Sequence, residues 1–365
     1  MELQEIRDIF SHFQIDALPI SRETKPSGNI NLTYAVTTAD GRQYILQRVN
    51  TYVFKNPHAL MENIVAITAF LAKKIEKEGG DPHRQTLTPL PAKDGTYFYE
   101  DPQGGGFWRL YYLITDAIAY DSAIRSGILE EAARAFGKFQ RQLEDYPAET
   151  LYETIPDFHN TAVRYEAFET AVSEDAAGRA ATVKKEIAKL RDLKPYASLI
   201  VSAIQEGRIP VRVTHNDTKL NNVLMDANTG KGLCVIDLDT VMPGSLLYDF
   251  GDSIRFAANN TAEDDPDLSR VFLRTELYEE YVKGFLSGVG DAITEEEIAL
   301  LPESVLILTY ELALRFMTDY LNGDKYFKIL SPDHNLIRTR AQLRLTEDIR
   351  QKLPLLRGIT EKYVQ

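Results

Sequence analysis

The sequence predicts an α+β fold in two lobes: a small antiparallel sheet carrying one main helix, then a larger, mostly helical lobe. Three observations carry this expectation. β-type runs separated by turn residues dominate the first part of the chain, up to Ile114. Apolar residues at helical spacing dominate the remainder. One short strand-rich segment, 211–240, interrupts the helical part and encloses a polar loop, "THNDTKLNN". This order of elements divides the chain into residues 1–114 and 115–365, with a cleft between them.

The N-terminal stretch "MELQEIRDIFSHFQI" reads as an amphipathic helix, with Leu3, Ile6, Ile9, Phe10 and Phe13 on one side. "NINLTYAVTTADGRQYILQRVN" holds two strands joined by Ala39-Asp40-Gly41, a hairpin signal. "PHALMENIVAITAFLAKKIEKEG" has the spacing of one long helix, ended by Gly79-Gly80. "GTYFYED" and "FWRLYYLIT", joined by "PQGGG", form a second hairpin in which Trp108 reads as core. Helices are expected at 127–146, 160–174, 181–205, 267–288, 294–322 and 335–352. "EDDPDL" at 263–268 reads as a solvated acidic loop.

The totals exclude several classes. With 44% hydrophobic and 26% charged residues the composition is that of a globular protein. A net charge of −13 disfavours nucleic acid and anionic membranes as partners, because both require a basic face. The single cysteine, Cys234, lies in the apolar run "GLCVI" and reads as a buried small hydrophobe; it forms no intrachain disulfide. No two of the six histidines have metal-ligand spacing on one helical turn. No basic leader or apolar span is present, so a soluble, cytoplasmic protein is expected.

The polar loop carries the chemistry. His215-Asn216-Asp217-Thr218-Lys219-Leu220-Asn221-Asn222 fits H-x-D-x-x-x-x-N, the catalytic-loop pattern of protein kinases. Phosphoryl transfer needs a carboxylate to take or orient the acceptor's proton, which suits Asp217. It needs an amide oxygen on Mg²⁺, which suits Asn222, and a cation within reach of the moving phosphoryl group, which suits Lys219. His215 is expected to hold the loop backbone. A second acidic metal ligand should follow the next hairpin, and two compete. "YDFGD" contains a literal D-F-G at Asp249, but Asp249 lies beyond that hairpin and opens a helix. Asp237 in "VIDLDT" stands at a strand end at the right remove. Asp237 is therefore the metal ligand, and Asp249 caps its helix or braces the catalytic loop.

"THNDTKLNNVLMD" followed by "VIDLDTVMPGSLLYDFGDSIRF" resembles the aminoglycoside phosphotransferase family of small-molecule kinases, and within it the N-acetylhexosamine 1-kinase branch. "YILQRVNT" and "RFMTDYLNGDKYF…HNLIRTR" extend the resemblance over nearly the whole chain. It implies a protein-kinase-like fold, with ATP and Mg²⁺ as cosubstrates. It implies Asp217 as base, and Asn222 with Asp237 as metal ligands. It implies transfer of the γ-phosphoryl group to the anomeric hydroxyl of N-acetylglucosamine or N-acetylgalactosamine. Other acceptors of the same family are the alternative: another amino sugar, an aminoglycoside, choline or homoserine. A nucleotide-binding pseudokinase is a further one.

The pattern is incomplete in the first lobe. Protein kinases carry a Lys on the third strand, paired to a Glu on the next helix. Here that strand is "YILQRVN"; either Gln47 or Arg48 takes the role, and alternation puts them on opposite faces. Glu62 is the candidate partner on the helix. Gly28 and Asn29 are the candidates for bending the backbone over the phosphates. Tyr112, Leu113 and Ile114 are expected at the adenine-binding link between the lobes. For the acceptor, Asp239, Asp252 and Arg255 follow the metal Asp. Arg315, in the apolar helix "ELALRFMTDYL", is either a buried salt bridge or a sugar ligand, with Tyr320 nearby.

Overall fold

A computed structural model describes residues 1–25, 30–122 and 127–364. The first lobe is a five-stranded antiparallel sheet in the order β1-β2-β3-β5-β4. Its chain order is α1 (Leu3–Phe10), β1 (Pro19–Lys25), β2 (Leu32–Thr38), β3 (Gln43–Val49), α2 (Pro57–Lys77), a single turn α3 (Pro82–Gln85), β4 (Tyr99–Asp101) and β5 (Gly106–Tyr112). Gly41, at φ +81°, makes the β2–β3 turn expected at Ala39-Asp40-Gly41. Asn56 caps α2 by accepting from the Ala59 N–H, and Pro57 opens the helix. Strand β1 was not legible in the sequence. It is a sheet edge with an almost wholly exposed, polar surface, so it shows no alternation.

Strand alternation gives the sheet two distinct faces. Tyr44, Leu46, Trp108 and Leu110 pack with Ile6, Phe10 and Phe13 of the N-terminal segment. Val49, Phe107 and Tyr111 pack instead with α2 and the second lobe. Gln47 and Arg109, paired across β3 and β5, lie on this second face by the same alternation.

Four residues link β5 to β6 (Ala117–Ala119), which pairs with the hairpin that follows the polar loop in the second lobe. There follow α4 (Ile128–Gln142), α5 (Thr161–Glu174), α6 (Lys184–Asp192), α7 (Lys194–Ala197), α8 (Leu199–Gln205), β7 (Arg212–Thr214), β8 (Val223–Asp226), β9 (Gly232–Val235), β10 (Met242–Gly244), α9 (Leu246–Ala257), α10 (Thr275–Val289), α11 (Glu295–Leu321) and α12 (His334–Glu361). The helix expected over 181–205 is three pieces, because Pro195 lacks an N–H and restarts the helix at α7. The helix expected from residue 267 begins at Thr275; Asp267 caps a short 3₁₀ turn first. Helix α12 runs through Pro354 to Glu361, beyond the expected end, because Leu356 and Thr360 are buried. "EDDPDL" is more than a solvated loop: Glu263 pairs with Arg255, Asp264 with His334 and Asp265 with Arg270.

The main core is continuous across both lobes, from Val49 and Phe107 to Phe285 and Leu356. A second core packs α5 and α6 against α11 and α12. No helix among the described residues is long and apolar enough to cross a membrane.

Candidate active site

The polar loop leaves β7 through Asn216, which adopts φ +64°. That left-handed turn is held on every side. The Asp249 carboxylate accepts from the backbone N–H groups of His215 (2.9 Å) and Asn216 (2.7 Å), and from Gln140 Nε2 (2.7 Å). Asp249 thus braces the polar loop, while Ser245 caps α9. Asn216 Nδ2 donates to the Thr240 carbonyl (2.8 Å). His215 is fully buried. Its Nδ1 accepts from the Asp217 N–H and its Nε2 donates to the Ile236 carbonyl. Both nitrogens are committed to the backbone, so the ring holds the loop in place.

Asp217 is left half-buried beside Lys219. Lys219 Nζ lies 2.7 Å from its Oδ1. Burial works against the Lys219 charge, but Asp217, Asp252 and Asp237 together hold its pKa above the ordinary value. Asn222 donates to the Asp217 carbonyl (2.7 Å), and among the described residues its own Oδ1 accepts no hydrogen bond. Asp237 follows β9 in a left-handed conformation, φ +60°. Burial, then the neighbouring Asp239 and Asp217 carboxylates, push its pKa up to about 7. A crowded carboxylate and a free amide oxygen on adjoining segments, joined by the Ile236 N–H to the Asn222 carbonyl, are hard oxygen donors of the kind that take Mg²⁺. No three His, Cys, Asp or Glu side chains converge as a complete metal cage among the described residues. That suits Mg²⁺, which is usually held by one or two protein oxygens plus phosphates and water. The residues present therefore fit the cation.

Behind this pair stands an interaction that the sequence reading missed. Arg109 of β5 is buried, with Nη1 2.6 Å from Asp239 Oδ1, a close ion pair off the line of a hydrogen bond. Its Nε donates to Gln47 Oε1 at 3.0 Å. The other Asp239 oxygen accepts from Asn31 Nδ2 at 2.6 Å. Asp239, expected at the acceptor, is thus engaged by the sheet of the first lobe. The signal was one Arg inside the apolar run "FWRLYYL". Asn63 of α2 makes a second junction, donating to the carbonyls of Tyr152 and Val241.

Several expected nucleotide residues lie elsewhere. Arg48 is exposed on the α1 face of the sheet, beside Gly106. Glu62 is exposed beside Tyr152, so no strand-to-helix pair forms there. Tyr112 stacks on Tyr44, also on the α1 face. The Leu113 N–H donates to the Gln43 carbonyl and is not offered to a base. Ile114 is half-buried in the link, which Arg84 fixes by donating to the Thr115 carbonyl and pairing with Asp226. Gly28 and Asn29 lie outside the described residues.

On the acceptor side the structure groups Asp252, Arg255 and Arg315 around a second missed pair. His159 Nδ1 is 2.9 Å from Glu311 Oε1, and its Nε2 faces the Asn216 carbonyl at 3.4 Å. Both partners are acceptors, so both ring nitrogens donate. Burial opposes the imidazolium, but Glu311 and then Asp252 raise the His159 pKa. Burial likewise opposes ionisation of Asp252; Arg255, His159 and Lys219 overcome it and lower its pKa. Arg255 pairs with Asp252 (2.9 Å) and Glu263 (3.3 Å). Arg315 makes no ion pair among the described residues. Its guanidinium lies 5.5–5.8 Å from the rings of Phe158, Tyr326 and Phe327. Tyr320 is not brought to the site: it is buried in the second core beneath Arg179.

Three solved structures share this architecture. The microcompartment-associated aminopropanol kinase is 17% identical and superposes with a TM-score of 0.61, covering 97% of this chain and 98% of its own. The aminoglycoside phosphotransferase from Alicyclobacillus acidocaldarius is 12% identical, with a TM-score of 0.63 over 97% and 96%. The amicoumacin kinase hAmiN, solved in complex with AMP-PNP, Ca²⁺ and Ami, is 15% identical, with a TM-score of 0.57 over 96% and 93%. These likenesses establish the kinase-like fold. The family model described as "Phosphotransferase enzyme family" matches residues 23–284. With most of its length matched, and its loop, metal-type donors and two-lobed fold in place, the chain belongs to the aminoglycoside phosphotransferase (APH) family of phosphotransferase enzymes.

Proposed function

We propose that this phosphotransferase uses ATP and Mg²⁺ to phosphorylate the anomeric C1 hydroxyl of an N-acetylhexosamine. Residues 1–114 take the nucleotide; residues 115–365 carry the catalytic loop and the acceptor. Asp217 orients the hydroxyl and receives its proton. An anomeric hydroxyl is more acidic than an ordinary alcohol, so positioning outweighs base strength. Lys219 holds Asp217 and lies where charge develops on the phosphoryl oxygens. Asn222 and Asp237 would hold Mg²⁺, which supplies charge neutralisation when bound.

The charge state of the acceptor side carries the choice of substrate. Asp217, Asp252, Glu263 and Glu311 are each paired with a cation, whereas Arg315 has no carboxylate partner among the described residues and meets aromatic faces and, at 3.5 Å, the Tyr326 hydroxyl. A cationic amino alcohol needs unpaired carboxylates or an open aromatic cage. A neutral polyhydroxyl acceptor suits paired acids, a free guanidinium donor and ring faces better.

ADP release from Mg-ATP is the test, with N-acetylglucosamine, N-acetylgalactosamine, glucose, galactose, kanamycin, choline and the 1-O-methyl glycoside of each N-acetyl sugar as acceptors. Turnover of the free N-acetyl sugars and silence with their glycosides is expected. Turnover of the glycosides would move the chemistry off C1, and turnover of choline or kanamycin alone would replace the acceptor class. ATP binding without any turnover would favour a pseudokinase.

A further inference from the structure

We propose that Arg109 is the phosphate-anchoring cation of this chain, supplied by β5 in place of a third-strand lysine and held by Asp239 in place of a helix glutamate. The inference rests on reading the cleft as a nucleoside-triphosphate site.

The usual pair is missing at both ends. The cleft-facing residue of β3 is Gln47, which has no charge, while Arg48 lies on the other face. Glu62 of α2 is exposed. Yet one cation–carboxylate pair still joins the sheet to the metal-binding segment, and it is Arg109–Asp239. Arg109 stands directly across from Gln47, so the charge is displaced by one strand and stays on the same face. Gln47 fixes the guanidinium through Nε, and Asp239 faces Nη1. Among the described residues Arg109 makes no hydrogen bond through Nη2, its guanidinium lies 5.4 Å from the Tyr111 ring, and the buried Tyr111 hydroxyl has no partner.

Burying a guanidinium for stability alone is a poor arrangement, because packed apolar residues usually do as well. A buried Arg retained between two strands and two carboxylates has an electrostatic use. Asp237 and Asp239 make this floor of the cleft anionic, and a triphosphate arriving there meets repulsion unless a cation faces it. Lys219 serves the acceptor side; Arg109 serves the sheet side. Its planar fork can keep Asp239 on one edge and present another N–H to a phosphate oxygen. Asn31, just beyond the expected phosphate-covering segment, holds the second Asp239 oxygen. One carboxylate therefore holds both Arg109 and Asn31.

The test is equilibrium binding of Mg-ATP and of adenosine to the full chain, wild type against Arg109→Met, Arg109→Lys and the double variant Arg109→Met/Gln47→Lys. In Arg109→Met, ATP affinity should fall at least about tenfold, the scale of a lost charge-assisted contact, with adenosine affinity nearly unchanged. The double variant returns a cation to β3 and should recover most of the ATP affinity. Arg109→Lys keeps the ion pair with Asp239, so it folds even where methionine strands the carboxylate; it should lose ATP selectively but less. In steady-state assays the KM for ATP should rise and the acceptor KM should not. Equal losses for ATP and adenosine, or no rescue by Gln47→Lys, would make Arg109 a structural clamp and overturn the inference. A wild type that binds adenosine and ATP alike would overturn the triphosphate reading itself, and this proposal with it.

Discussion

Asp217 and Asp237 could be singled out in the sequence because the roles proposed for them depend on short spacings along the chain. Asp217→Asn should lower turnover by roughly 10²- to 10⁴-fold, the usual worth of a positioned base, with Mg-ATP binding preserved in calorimetry. Asp237→Ala should instead remove the Mg²⁺-dependent part of nucleotide affinity; if Asp249→Ala does this and Asp237→Ala does not, the two acids have been assigned the wrong way round. His159 and Glu311 could not be read in this way, since they meet across a long stretch of sequence through α5 and α11. Their pairing has a pH signature. The folded pKa of His159 is raised above its unfolded value, so its contribution to stability is complete below about 6.5 and is lost as pH rises through the folded pKa. Glu311, Asp252 and Arg315 face the ring and set that shift. His159→Gln should flatten the upper part of the stability–pH profile in chemical denaturation; an unchanged slope would mean that the imidazolium is not retained.

Among the elements, those with one buried face announced themselves and those fixed by distant packing did not. Helix α2 has an apolar stripe, a cap and a terminating glycine within its own sequence. Edge strand β1 has none of these, and the extension of α12 past Pro354 depends on contacts such as the Tyr278–Thr360 hydrogen bond. The closest helix packing is equally silent in the sequence. Helices α4 and α10 approach so nearly that a methyl group on Gly284 or Gly288 would run into the backbone carbonyls of Glu130 or Arg134. Backbone cannot move aside as a side chain does. Gly288→Ala should therefore destabilise the protein by about 1–3 kcal/mol, as overpacked cores do, read as a lower denaturant midpoint at constant slope. Because α4 also supplies Gln140 to Asp249, the same variant should slow turnover before it unfolds the chain.

At the scale of the whole molecule the two lobes share their main core, although each also has a cluster of its own. Val49, Phe107 and Tyr111 of the sheet lie in one cluster with Phe136, Val223 and Phe250 of the helical lobe. Arg109–Asp239, Asn31–Asp239 and Asn63 add polar ties across the same boundary. A sequence read element by element shows where a lobe ends and not how much apolar surface it shares with the next. Cooperative unfolding follows from the shared core. Calorimetry should give one transition with matching calorimetric and van't Hoff enthalpies; two resolved transitions would mean that the cleft opens before either half melts.

Trp108 is the only tryptophan in the chain, and it sits on the α1 face of the sheet, next in sequence to Arg109. Its fluorescence therefore watches the first lobe alone, while far-UV circular dichroism is dominated by the helices of the second. The chain carries its own pair of spectroscopic reporters, one for each side of the cleft. An indole signal that shifts with ATP while the dichroism stays still would locate a nucleotide response in the sheet, without a label and without altering any residue.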